Sequence, residues 1–291
     1  MSHRNSIFVE EAAILSHAAC AGEQYILRLK APHCAARARA GSFVHIQCDD
    51  LLPMRRPLSI MRADAGAGWL ELLYRAVGHG TRRLAQRQVG EHLSLLGPIG
   101  RPFQLHPQRH RPLLIGGGVG IPPMIFLAQE IRHADWACQP LLLAGSETPF
   151  PFTPRPSQIM TPALPAEVIA AIPLMEDWGI TSRLASLQGF PGCHQGYVTD
   201  LGRLWLESLD QEALSSVEIF ACGPHPMLEA AAALARDFHL PCQVSLEEFM
   251  ACAVGGCAGC VVPVHHEQGT AMKRVCVDGP VFDARSVFPP P

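Results

Sequence analysis

Four cysteines near the C-terminal end, Cys252, Cys257, Cys260 and Cys276, follow the order C-x4-C-x2-C-x15-C. The first three have the spacing at which plant-type loops hold a 2Fe-2S cluster through thiolates. Ala253, Val254, Gly255, Gly256, Ala258 and Gly259 fill the loop. Such a run is compact enough for the backbone to wrap a cluster and turn N–H groups toward its sulfurs. Four thiolates also suit zinc, the main rival, but zinc ribbons usually pair their cysteines as two short C-x2-C knuckles. The spacing favours iron and sulfur, and a protein with visible charge-transfer absorption.

Other chemistry-bearing residues come in short groups. Arg56-Pro57-Leu58-Ser59 offers a guanidinium fork for a pyrophosphate and a hydroxyl for a flavin ring nitrogen. Leu73-Tyr74-Arg75 follows, then Gly78-His79-Gly80-Thr81, where Gly80 and Thr81 can open a helix with N–H groups facing phosphate. Each group alone is weak: Arg56 also reads as a solvated charge and Tyr74 as a half-buried strand residue. Further on, Leu113-Leu114-Ile115 runs into Gly116-Gly117-Gly118-Val119-Gly120 and then Pro122-Pro123. Proline is tolerated in a first helical turn, so Gly117, Gly118 and Gly120 mark a phosphate-facing helix start without the regular G-x-G-x-x-G spacing. Ala221-Cys222-Gly223-Pro224 again ends a strand and starts a helix. Two such loops at the C-terminal edge of one sheet can flank a dinucleotide, with Cys222 either facing a nicotinamide or buried as a structural thiol. Glu147, after the second apolar strand, would disfavour a phosphate on the adenine ribose if it lines that pocket, which favours NAD over NADP.

Those residues need scaffolds to position them. A chain of 291 residues with a net charge of -3 is long enough for two domains and a small module, and carries no footprint for nucleic acid or an anionic membrane. The start Met1-Ser2-His3-Arg4-Asn5 leads into no signal-peptide core, which predicts a cytoplasmic, reducing compartment. The seven cysteines outside the loop then read as small buried hydrophobes, and His265-His266 as surface residues. The apolar run 113–128 is broken by glycines and prolines, so it spans no membrane.

Residues 1–103 alternate in short segments at 6–10, 24–30, 42–47, 69–75 and 92–96, which predicts an antiparallel β-barrel. Over 104–246 strands alternate with helices, at 140–144 and 218–222, an alanine-rich helix over 227–238 and a last strand over 243–246. That pattern predicts a Rossmann-like parallel α/β domain, giving a multidomain β plus α/β chain. The proline-dense stretch 149–165 reads as a loop without secondary structure. Residues 247–291 are too few for a core of their own and are expected to need the cluster as organising centre, so that metal loss and local unfolding coincide.

The succession Arg-x-x-Ser, Gly-x-Gly-Thr, Gly-Gly-Gly-x-Gly-x-x-Pro and Cys-Gly-Pro resembles the ferredoxin-NADP reductase superfamily. With Gly196-Tyr197-Val198-Thr199-Asp200, Ser245-Leu246-Glu247-Glu248 and the run from Arg274 to Phe282, the chain resembles the family of electron-transfer subunits of NAD-dependent dihydroorotate dehydrogenase. The resemblance implies an FAD-binding barrel in which Arg56, Pro57, Leu58, Ser59, Leu73, Tyr74, Arg75, Gly80 and Thr81 touch FAD. It also implies an NAD domain and a 2Fe-2S module held by the four cysteines. The implied partner is an FMN-containing catalytic subunit in a heterotetramer. Electrons from dihydroorotate would then pass through FMN, the cluster and FAD to NAD, in pyrimidine biosynthesis. Hydride transfer needs no protein acid or base, so no catalytic residue is named. The rival readings are a reductase component of an oxygenase, hydrogenase or other dehydrogenase complex, and a non-catalytic redox sensor. Two features depart from the family pattern: Ala253, where glycine is common, and the length of 149–165.

Overall fold

The computed structural model describes residues 6–161 and 163–290. Six strands, β1 (Phe8–Cys20), β2 (Gln24–Lys30), β3 (Phe43–Ile46), β4 (Arg56–Asp64), β5 (Trp69–Arg75) and β6 (His92–Ile99), close an antiparallel barrel in the order β1-β2-β5-β4-β3-β6. Short helices α1 (Pro32–Ala35) and α2 (His79–Leu84) follow β2 and β5. Alternation sorts the faces: Leu27, Leu29, Leu70 and Leu72 have no exposed area, while Arg28 between them reaches outward to donate to Glu71 at 2.6 Å. The sequence pattern misses β4, because Arg56, Pro57, Ser59 and Arg62 break its alternation where one face meets a cavity instead of solvent. It also shortens β1, which shifts register between Ile14 and Ser16 and so pairs with both β6 and β2.

The second sheet has the order β11-β8-β7-β12-β13-β16. Its first strands are β7 (Arg111–Gly117) and β8 (Leu141–Gly145), with α3 (Ile121–Arg132) between them. Then come β9 (Arg155–Pro156), β10 (Ala170–Ala171), α4 (Pro173–Trp178), β11 (Thr181–Ala185), α5 (Val198–Glu207), α6 (Gln211–Ser215), β12 (Val217–Cys222), α7 (His225–Asp237) and β13 (Cys242–Ser245). Strands β11, β8, β7, β12 and β13 are parallel. The expectation of no secondary structure in 149–165 is corrected: β9 pairs with β10. Two residues are too few for any period to show. Polar contacts hold that loop down, with the Ser157 hydroxyl donating to Glu176 at 2.7 Å and Arg183 donating to the Ile159 carbonyl at 2.7 Å. Pro162 lies outside the described residues.

The C-terminal part contains the hairpin β14 (Val261–His266) and β15 (Gly269–Arg274), then α8 (Val275–Asp278), β16 (Val281–Asp283) and α9 (Ala284–Val287). Strand β16 adds antiparallel to β13 at the edge of the parallel sheet. Val262, Val264, Val275, Cys276 and Ala284 share one buried core with Leu113, Ile115 and Val244. The expectation that the cluster alone organises this segment is therefore corrected, since a sheet edge and a common core also anchor it. Among the described residues no helix is long and apolar enough to cross a membrane.

Candidate functional site between barrel, sheet and cysteine loop

A cavity of about 1570 Å³ lies where the barrel, the parallel sheet and the C-terminal segment meet. From the barrel it is lined by Arg56, Pro57, Leu58 and Ser59 of β4, Leu73, Tyr74 and Arg75 of β5, and Thr81 of α2. From the sheet edge it is lined by Gly117, Gly118 and Pro224. Gly80, Gly120, Cys222 and Gly223 do not line it.

Those four act behind the wall, each for a steric reason. A Cβ on Gly80 would stand 2.9 Å from Arg56 Nε, so the bare position lets the guanidinium lie against the start of α2. There Arg56 donates to the Met54 carbonyl at 2.7 Å and to its neighbour Arg55's carbonyl at 3.1 Å. A Cβ on Gly120 would fall 2.2 Å from the Cys222 carbonyl oxygen, and one on Gly223 would meet Gly117 Cα at 3.1 Å. The two glycine loops thus touch backbone to backbone, which brings the starts of α3 and α7 to one edge. Gly118 has a φ of 54° and open space on its missing side chain's path, so its peptide can border a ligand. The Cys222 thiol is 1% exposed and packed in the core. Burial pushes it well above its ordinary value, with Glu247 adding to the effect, so it is an inert neutral thiol and does not face the cavity.

The wall also includes Glu147, singled out in the sequence, and residues to which the sequence assigned no role. Glu147 sits among Gly145, Ser146 and Thr148, and its carboxylate accepts from Gln188 at 3.3 Å. Tyr197 and Thr199, and the run Ser245–Ala251, also face the cavity; both stretches stand out as motifs, but the sequence gives them no geometry. Glu247 is reached by solvent through the mouth yet surrounded by protein, and this burial raises its carboxyl above the usual range. Tyr74 is clamped from behind: His17 Nε2 lies 2.8 Å from its hydroxyl and the Tyr25 ring stacks on it at 5.4 Å.

The same run leads directly into the cysteines. The Cys257 N–H donates to Cys252 Sγ at 3.4 Å, and the Gly259 N–H to Cys257 Sγ at 3.4 Å. The N–H groups of Val254, Cys257 and Gly256 face Cys252 and lower its thiol to about 6. Cys260 and Cys276 are 3% exposed; burial, with the Cys260 thiol alongside, pushes Cys276 up to about 12. Among the described residues no set of three or more His, Cys, Asp or Glu side chains forms a metal-coordinating arrangement. The Cys257 main chain is bonded to the Cys252 sulfur, and the Cys260 and Cys276 thiols lie beside each other. Two inner thiols, two outer ones and N–H donors on the outer sulfurs make a donor set that fits an iron-sulfur cluster. Ala253 has a φ of 56°, a left-handed conformation that glycine adopts more readily, and its methyl is buried in the core.

Comparison with known proteins agrees with this geometry. Residues 247–288 match the family described as the iron-sulfur cluster binding domain of dihydroorotate dehydrogenase B. The chain is similar to the electron transfer subunit of dihydroorotate dehydrogenase B (NAD(+)) from Geobacillus thermodenitrificans, 36% identical over 284 residues, covering 96% of this chain and 98% of the relative. The subunit of the same name from Listeria monocytogenes is 34% identical over 258 residues, covering 87% and 89%. Among solved structures, an NADH-dependent reduced ferredoxin-NADP oxidoreductase superposes with a TM-score of 0.75 at 24% identity, covering 96% of this chain and 90% of the other. The ferredoxin reductase of carbazole 1,9a-dioxygenase superposes with a TM-score of 0.63 at 21% identity, covering 81% and 67%. These two share the fold.

Proposed function

The chain belongs to the family of dihydroorotate dehydrogenase B (NAD(+)) electron transfer subunits, and on that premise we propose that it passes electrons between NAD and an FMN-containing dihydroorotate dehydrogenase catalytic subunit. In this reading the protein is a cytoplasmic oxidoreductase subunit of pyrimidine biosynthesis, assembled with its partner as a heterotetramer. Residues 1–103 serve FAD, 104–246 serve NAD and 247–291 serve the 2Fe-2S cluster. The observation that carries the reading is the single cavity whose wall is shared by β4, β5, the two glycine loops and the run Ser245–Ala251 entering Cys252.

Bound there, FAD supplies hydride exchange with nicotinamide and one-electron exchange with an iron-sulfur cluster. The chain's own residues bind and orient. Arg56 places a fixed positive charge for pyrophosphate, beside the N–H groups that open α2. Ser59 offers a hydroxyl, and Leu58 and Leu73 flat apolar walls, to the isoalloxazine. Gly117, Gly118 and Pro224 border the nicotinamide dinucleotide, and Gly120, Cys222 and Gly223 hold those loops together from behind. Glu147 opposes a second phosphate on the adenosine ribose, which selects NAD. Cys252, Cys257, Cys260 and Cys276 bind iron, and N–H groups at Val254, Gly256 and Gly259 favour the charge on sulfur.

Anaerobic purification tests the reading. The expected product is brown, retains FAD and transfers electrons from dihydroorotate to NAD once the catalytic subunit is added. Cys257→Ser should abolish cluster absorption while leaving bound FAD and its reduction by NADH. A colourless protein holding one zinc, or loss of FAD with the cluster in Cys257→Ser, would contradict it.

A further inference from the structure

Gly255 and Gly256 stand in the first gap of the cysteine loop, between Cys252 and Cys257. Gly255 has a φ of 83°, and a Cβ there would stand 2.6 Å from Val277 Cγ2 and 3.3 Å from Arg274 Nη1. A Cβ on Gly256 would stand 4.0 Å from Cys252 Sγ. The peptide joining the two glycines thus has an arginine against one residue and a cysteine sulfur near the next. Its carbonyl accepts from Arg274 Nη1 at 3.1 Å. In a trans peptide the C=O and the N–H point opposite ways, so a carbonyl held toward the guanidinium turns the Gly256 N–H to the other side, where the sulfur lies.

The backbone of Arg274 is itself fixed. It ends β15, paired with Val261 of β14 next to Cys260, and the following Val275 N–H donates to the Cys260 carbonyl at 2.9 Å. Asp278 accepts from the Arg274 main-chain N–H at 2.9 Å, and its carboxylate lies 3.6 Å from Arg274 Nε. The far end of the guanidinium is left for the loop. Cys276 lies two positions further along the chain. One side chain therefore ties the outer half of the loop, Cys252 to Cys257, to the inner half, Cys260 with Cys276, and brings a positive charge to the seam.

We propose that Arg274 is a positioning residue for the iron-sulfur site: its guanidinium orients the Gly255–Gly256 peptide so that the N–H, and not the carbonyl oxygen, faces the Cys252 sulfur, which favours the reduced cluster. This rests on the reading that the four cysteines hold a 2Fe-2S cluster. Reduction adds one electron, and so one negative charge, at the thiolates and their iron. N–H donors on sulfur and a nearby cation stabilise that charge, whereas a carbonyl oxygen turned the same way opposes it. Arg274 does not line the cavity, so it acts on the potential of the cluster and not through the flavin contacts.

The test compares wild type with Arg274→Met, which has no donor, and Arg274→Lys, which keeps a donor and the charge. Anaerobic redox titration of the cluster-loaded proteins, followed by the paramagnetic signal of the reduced cluster, gives the potential. The equilibrium constant for one-electron reduction should fall about tenfold in Arg274→Met, a potential about 59 mV lower, and stay within about threefold of wild type in Arg274→Lys. In the cluster-free proteins, hydrogen exchange of amides 255–257 should rise about tenfold in Arg274→Met and stay within about threefold in Arg274→Lys. An unchanged potential in Arg274→Met, or equal falls in both variants, would overturn the proposal whatever the exchange shows. If wild type binds no iron-sulfur cluster, the functional reading fails, and the exchange comparison alone decides the contact. Should Arg274→Met not fold or not hold a cluster, nitrogen-15 spectra of the cluster-free wild-type guanidinium decide: slowly exchanging Nη–H groups support the contact, and freely exchanging ones overturn it.

Discussion

Arg56 can rest against the start of α2 because residue 80 has no Cβ, and this pairing was only half legible in the sequence. The order of Arg56–Ser59 and Gly80-Thr81 pointed to one phosphate site, but Gly80's part is to make room for the guanidinium, which no spacing reveals. Arg56→Ala should weaken FAD retention about tenfold to a hundredfold, the range for a lost charge-assisted hydrogen bond. Gly80→Ala should weaken it in the same direction with little change in melting temperature, because only a flexible side chain must shift. Equilibrium dialysis with FAD checks both; unchanged affinity in Arg56→Ala removes that residue from the site. Cys222 shows the opposite limit, since a strand-end cysteine looks alike whether its thiol faces a ligand or the core. Cys252 gives a pH prediction for the cluster-free protein. Its thiol is lowered to about 6 by the Val254 and Cys257 N–H groups, so the thiolate is present above that pH and lost below it. Iodoacetamide labelling should therefore fall as pH drops through about 6 at Cys252. Cys276, raised to about 12, should stay unlabelled at neutral pH. Equal labelling of both at pH 7 would contradict the loop geometry.

At the scale of elements, regular alternation was readable and interrupted alternation was not. β6 showed the clearest signal, because alternate residues are buried in the barrel and those between them are partly exposed. β4 and β11 did not: β4 carries Pro57 and the cavity-facing polar groups, and β11 buries Ser182 and Arg183 among apolar neighbours. The most consequential element missing from the sequence reading is β16, three residues long, which attaches the cysteine segment to the parallel sheet. It separates two events that the sequence alone merges. Removing the cluster with a chelator should raise hydrogen exchange across 252–260 while leaving 281–283 protected by β13. Concerted exposure of both stretches would show that the cluster, and not the sheet edge, holds the segment.

For the molecule as a whole, the design is a contiguous one: barrel, sheet and cysteine loop bound one cavity, and the run Ser245–Ala251 belongs to both the cavity wall and the approach to Cys252. The order of motifs foretold the three parts, but not that the last is stitched into the second by a strand and a shared core. The net charge is -3, and beside the cysteine loop Phe249 is 93% exposed. The most direct measurement is anaerobic rapid mixing of the isolated, fully loaded subunit with NADH, following flavin absorbance and the paramagnetic signal of the reduced cluster over a range of protein concentrations. Cluster reduction should follow flavin reduction at a rate independent of protein concentration, as electron transfer inside one chain requires. A rate proportional to protein concentration, or a cluster that NADH reduces only with an added mediator, would contradict it.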